Sequence, residues 1–290
     1  MSSALRPVGF VRRSQDIAAR ILVGLAFLVA LIPLVWVLVV ITQRGIAAVT
    51  SPTWWTNSQR GVLPDQFTGG AYHAIYGTVA QAAIAAVLAV PLGIFIAIYL
   101  VEYGRGRFAR LVTYMVDVLT GIPSIVAALF VFALWITTLR LPQSAFAVAL
   151  ALALLMLPVV VRSTEEMLRL VSYELRENAY ALGIAKWVTI VRIVLPTAAS
   201  GIISGILLAV ARVMGETAPV LVLVGYSSSL NFDVFDGNMA SLPLFIYSQL
   251  INPLAAGSFR AWGAALTLVI LIAVLNIAAR LLARFLSRTR

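Results

Sequence analysis

Residues 198–224 read AASGIISGILLAVARVMGETAPVLVLV. A run this long and apolar can cross a bilayer as a helix, which takes about 20 residues. Yet it carries Arg212 and Glu216, four positions apart. An arginine at the centre of a spanning helix costs roughly 2.5–3.5 kcal/mol on insertion scales. Its presence there points to a polar pathway or to an internal pairing. Gly215 and Pro219 weaken a helix at this point, which suits the lining of a cavity.

Five further segments have the same character, at about 21–41, 71–99, 109–136, 145–161 and 261–285. The chain of 290 residues is 62% hydrophobic and only 11% charged, more apolar surface than a soluble domain of this size can hide. Six spanning helices and an all-α, polytopic membrane fold follow. The first segment exceeds the roughly 7–15-residue core of a secretory signal, so it reads as a retained span. The second and third exceed what a crossing needs, so they tilt, break or extend beyond the bilayer. Gly121, Pro123 and Ser124 mark the expected break or bend in the third.

The net charge of +10 is not that of a nucleic-acid binder, because the basic residues cluster at the ends of the apolar segments. Only Arg44, Arg60, Arg140 and Arg260 fall on one side. The other side holds Arg6, Arg12, Arg13 and Arg20 in the N-terminal tail, Arg280, Arg284, Arg288 and Arg290 in the C-terminal one, and every loop arginine between. The positive-inside rule then places both termini in the cytoplasm. The outer loops, 43–70 and 226–260, carry Trp54, Trp55, Phe67 and Tyr72, then Asp233, Asp236 and an apolar stretch at 242–251 too short to span. Both are expected along the outer interface, as anchors or as a docking face for an external partner. The absence of cysteine excludes thiolate metal sites, and the single histidine, His73, reads as an interfacial residue rather than a metal ligand.

The cytoplasmic loop 162–196 is charged but not disordered in composition. Apolar residues such as Leu168, Leu175, Ala179, Leu182, Trp187 and Ile190 recur at helical spacing, with Gly183 as a stop and Pro196 opening a new element. Within it stands Glu177-Asn-Ala-Tyr-Ala-Leu-Gly183, followed by Ile193-Val-Leu195-Pro196. This resembles the EAA loop of type I ABC-transporter permeases, with glycine six positions after the glutamate and Ile-x-Leu-Pro beyond. Asn178 stands where that pattern has its first alanine. The resemblance implies a MetI-like permease fold and a coupling helix, with Glu177, Asn178, Ala179 and Gly183, seated on an ATP-binding subunit. A short amphipathic helix laid in a partner's groove is a recurring recognition mode. The chain itself lacks a P-loop, since its only lysine, Lys186, is followed by Trp187. It is therefore expected to be a transport subunit and not an enzyme. ATP and Mg belong to the partner subunits, and no metal site or cofactor is expected in this chain.

Arg212-Val-Met-Gly-Glu-Thr-Ala-Pro219, with Gly121-Ile-Pro-Ser124 and Arg162-Ser-Thr-Glu-Glu166, looks like the phosphate-specific ABC permeases, and more like the PstA-type than the PstC-type subunit. That resemblance implies residues 1–70 as tail, first span and outer loop, and 71–290 as the permease core with its coupling loop 162–196. It also implies a homologous PstC-type partner, two ATPase subunits, an external phosphate-binding protein, and a substrate pathway through Arg212, Glu216 and Thr217. On the residues alone, Glu216 is expected one turn beyond Arg212 on the same helical face. An intrahelical ion pair stays open as a reading, though arginine N-terminal to glutamate is the weaker order. An anion site is the other reading, because a guanidinium grips oxyanions bidentately and stays charged. Asp117 is expected to pair with loop arginines. Another oxyanion (sulfate, molybdate or phosphonate), a stand-alone secondary transporter and a membrane enzyme are the alternatives. The last two lack their signatures, inverted repeats and a catalytic cluster.

Overall fold

The computed structural model describes residues 10–288, and all the regular structure among them is helical. Arg6 and Arg290 lie outside the described residues, as do the side chains of Arg13, Arg284 and Arg288. The helices are α1 (Phe10–Val49), α2 (Pro52–Thr56), α3 (Tyr72–Ile98), α4 (Gly106–Gly121), α5 (Ser124–Val131), α6 (Ala145–Leu170), α7 (Tyr173–Ala181), α8 (Lys186–Thr189), α9 (Leu195–Met214), α10 (Ala218–Leu223), α11 (Leu242–Leu250) and α12 (Ala255–Arg288). Three wider π-helical turns extend them: Tyr99–Tyr103 after α3, Phe132–Thr138 after α5, and Ile190–Val194 joining α8 to α9.

Five stretches among the described residues are long and apolar enough to cross a membrane: Ser14–Val49, Tyr72–Tyr103, Ala145–Leu170, Lys186–Met214 and Ala255–Leu281. Helices α4 and α5, with the turn that follows, are apolar enough together to make a sixth candidate span, but are bent by 105°. Ile122 and Pro123 are extended at the bend, and proline supplies no backbone N–H to carry a helix through it.

Small residues set the packing. Ala82, Ala85 and Ala89 of α3 share a core with Val148, Ala149 and Leu152 of α6. On α9, Gly201 and Gly205 lie so close to Met167 and Ser163 of α6 that a Cβ would collide with them. Lipid offers no hydrophobic drive between helices, so close backbone approach through Gly and Ala gives the contact its energy. By contrast α1 packs mainly on α12, and none of its apolar window is buried within the chain.

The loop elements depart from expectation in four places. Helix α6 runs on through Pro158 and Arg162 to Leu170, so the loop is shorter than 162–196. The fifth span begins at Lys186 and not after Pro196. Pro196 sits in the first turn of α9, where its missing N–H costs least, and the rod 186–214 passes through it. His73 is only 1% exposed, inside an aromatic box with Phe245 at 5.2 Å and Tyr226 at 6.2 Å between ring centroids. The stretch expected along the interface forms α11, whose Leu242, Leu244 and Phe245 are buried, so one face of it packs into the chain.

Loops 43–70 and 226–260 form one knitted cap. Gln59 N–H donates to the Ser228 carbonyl at 3.0 Å, and Asn252 Nδ2 to that of Pro64 at 3.2 Å. The buried Arg260 donates to the carbonyls of Leu63, at 2.9 Å, and Gln66. Trp54, expected at the interface, is 2% exposed and donates through Nε1 to Thr267 Oγ1 of α12 at 2.8 Å.

Candidate functional site

The sequence-marked residues fall in two places joined by the rod 186–214. From Lys186 to Arg212 the rod spans about 40 Å at 1.5 Å per residue.

At one end, Arg212 occupies the last turn of α9, which stops at Met214. Glu216 is therefore not on the same helical face as Arg212. Gly215 caps the helix, its N–H bonded to the Arg212 carbonyl at 3.2 Å, and the chain turns before α10 begins at Ala218, with Pro219 in its first turn. Arg212 is exposed, Glu216 and Thr217 half-buried, and Pro219 buried. Among the described residues neither Arg212 nor Glu216 has a side-chain hydrogen bond or ion pair, so no Arg212–Glu216 bridge exists here. Arg212 continues an exposed stripe along α9 made of Thr197, Ser204, Leu208 and Gly215. Helix α10 leans on α5, which brings the segment after Arg212 alongside the helix that follows the Gly121–Pro123–Ser124 break. Gly121 and Pro123 are exposed at that break, and Ser124 is half-buried.

The C-terminal halves of α4 and α6 carry an ion web. Arg162 pairs with Asp117 of α4, and its Nη1 meets Glu165 Oε2 at 2.7 Å. Arg169 reaches Glu165 Oε1 at 2.5 Å. Asp117 thus pairs with a loop-side arginine, as expected.

At the other end of the rod, α7 and α8 form a hairpin. Gly183 holds φ +75°, a left-handed conformation that glycine adopts without strain. Its N–H bonds to the Tyr180 carbonyl at 2.9 Å and that of Ile184 to Ala179 at 3.1 Å, a paired closure known as the Schellman motif. The reversal leaves Glu177, Asn178 and Gly183 exposed, while Ala179 is buried against the body of the chain. Tyr173, Leu182 and Trp187 are 70%, 80% and 65% exposed, an apolar surface that the described residues leave uncovered. The Tyr180 hydroxyl is pushed above its ordinary range, by burial first and by the Glu102 charge second.

The family profile described as "Binding-protein-dependent transport system inner membrane component" matches residues 89–290. The phosphate transport system permease protein PstA of Mycobacterium leprae is 65% identical over 273 residues, covering 94% of this chain and 90% of that one. PstA of Haemophilus influenzae is 35% identical over 266 residues, covering 90% and 92%. The chain belongs to the PstA family of ABC-importer permeases. Its fold is shared with solved importers. A membrane chain of a bacterial alginate ABC transporter, solved with alginate pentasaccharide-bound periplasmic protein, superposes with a TM-score of 0.64 at 14% identity, over 94% of this chain and 96% of that one. One of the MetNI methionine transporter in inward-facing form gives 0.60 at 17%, over 75% and 94%. As a PstA-type permease the chain is a multi-pass inner-membrane component of a transporter with further subunits.

Sequence reasoning missed Glu102. It closes the π-helical turn after α3 and receives Arg176 of α7 at 2.8 Å. An acid among loop arginines was visible in the sequence, but its partner stands 74 positions away.

Proposed function

We propose that this chain is a membrane subunit of an ATP-driven importer that carries inorganic phosphate inward across the cytoplasmic membrane, with both termini in the cytoplasm. Residues 71–290 make the permease core on this reading, and 1–70 the tail, first span and outer loop. The observation that carries it is Arg212. It is an unpaired cation on an exposed stripe of a membrane helix. A guanidinium turned to lipid is costly, so this stripe belongs against a second, PstC-type permease subunit, with the polar pathway between the two.

In that pathway Arg212 takes phosphate oxygens in its planar fork. The break after Met214 frees the carboxylate of Glu216 from the helix. It can hold the guanidinium when no anion is present and weaken the anion's grip when one is, so that the ion passes on. Thr217 adds a hydroxyl donor beside it. Gly121, Pro123 and Ser124 set the bend of the neighbouring helix, and Gly215 and Pro219 the bend of this one.

Power comes from two ATPase subunits that bind ATP and Mg, since this chain has no P-loop. They receive the α7–α8 hairpin, with Glu177 and Asn178 at the contact, Ala179 anchoring the helix behind and Gly183 turning it. An external phosphate-binding protein delivers the ion to the outer cap. The test is uptake by the assembled, reconstituted transporter carrying Arg212→Gln. Uptake falls by at least about tenfold with unchanged assembly; normal uptake removes Arg212 from the pathway.

A further inference from the structure

We propose that Glu102 and Arg176 are positioning residues that carry displacement of the α7–α8 hairpin into α3, and so couple ATP turnover to movement of the membrane helices. Arg176 is next to Glu177 in sequence and faces the other way. Glu177 is exposed, whereas the Arg176 side chain is 10% exposed and that of Glu102 is 5%.

One guanidinium ties three elements. Its Nη2 and Nε donate to Glu102 Oε1 at 2.8 and 3.1 Å, at the end of the α3 extension. Its Nη1 donates to the Val171 carbonyl at 2.6 Å, and Nη2 also to that of Leu168 at 2.9 Å, at the end of α6. The second leg of the hairpin grips the same place. The Lys186 ammonium donates to the Glu102 carbonyl and lies 4.6 Å from the Tyr103 ring centroid. Lys186 begins the rod that ends beside Arg212.

A surface hairpin needs only apolar anchoring, which Ala179 already supplies. A largely buried, multidentate charge pair adds something else. Apolar contacts slide over one another, but removing either partner here strands the other charge out of water, so the elements stay in register as they move. Glu102 sits in a π-helical turn, a local break in the regular helical ladder. The link therefore acts at a point where α3 can pivot.

The proposal rests on the importer reading above. Its test uses the full complex in vesicles with the external binding protein, measuring ATP hydrolysed and phosphate taken up in parallel. With Glu102→Gln the ATPase subunits still copurify and hydrolyse ATP, but phosphate moved per ATP falls by about tenfold or more. Arg176→Lys, which keeps both charges and loses the fork, falls between. Glu177→Ala instead sheds the ATPase subunits, because its defect is in docking. A wild-type phosphate-to-ATP ratio in Glu102→Gln overturns the proposal, whether both rates hold or both fall, and so does loss of the ATPase subunits. If the Glu102→Gln chain itself does not accumulate in the membrane, Arg176→Lys decides: a lowered ratio supports the link and a wild-type ratio overturns it. A wild-type complex that hydrolyses ATP yet moves no phosphate refutes the substrate reading instead, and the ratio is then measured with the anion it does move.

Discussion

Gly183 turns the α7–α8 hairpin with a φ of +75° and two closing hydrogen bonds. A Cβ there meets no neighbouring atom, so Gly183→Ala is opposed by backbone conformation alone, a penalty of about 1–2 kcal/mol. The expected outcome is a loosened hairpin, read as a lower yield of ATPase subunits copurifying with the variant. Arg212→Lys separates charge from geometry. It keeps a cation in the proposed pathway but loses the bidentate fork, so uptake should fall between wild type and Arg212→Gln. The turn at Gly183 was legible because its cause is local, a glycine at the end of a helical run. Glu102 was not legible, because its role exists only once α3 and α7 meet. His73 and Trp54 were misplaced for the same reason, since burial inside the outer cap depends on elements distant in sequence.

The bend between α4 and α5 is an element-level feature with a local cause. Proline at 123 removes a helix donor, and the exposed Gly121 has no neighbour to clash with. The double change Gly121→Ala with Pro123→Ala restores helix-forming residues at both sites. It should relax the 105° bend and impair uptake while leaving assembly intact, with spin-label distances between α4 and α5 reporting the angle. Unchanged distances would mean that packing against α6 and α10, rather than local sequence, holds the bend. Helix ends were harder to read than helix existence. Pro196 looked like a start because proline is common there, but first-turn tolerance let the rod begin ten positions earlier at Lys186. Gly215 and Pro219 marked a weak point in the sequence, but not that the helix would stop there at Met214. Arg212 and Glu216 therefore counted as one face when a helix end divides them.

Across the molecule, the number of crossings and the all-helical class were written in apolar length and arginine placement. The knitted outer cap was not, because its inter-loop bonds leave no periodic trace. The absence of cysteine makes the orientation directly testable. Single cysteines replacing Arg105, Ser172 and Ser229 should label from the inside, the inside and the outside respectively. Any other pattern would overturn the six-crossing arrangement with cytoplasmic termini. On the proposed function, phosphate is driven inward past Arg212 by partner ATPases. The most direct measurement is ATP-dependent uptake of labelled phosphate by the reconstituted complex, challenged with sulfate, molybdate and phosphonate. The account predicts uptake that needs ATP and resists those competitors. Equal uptake of another oxyanion, or phosphate movement without ATP, would contradict it.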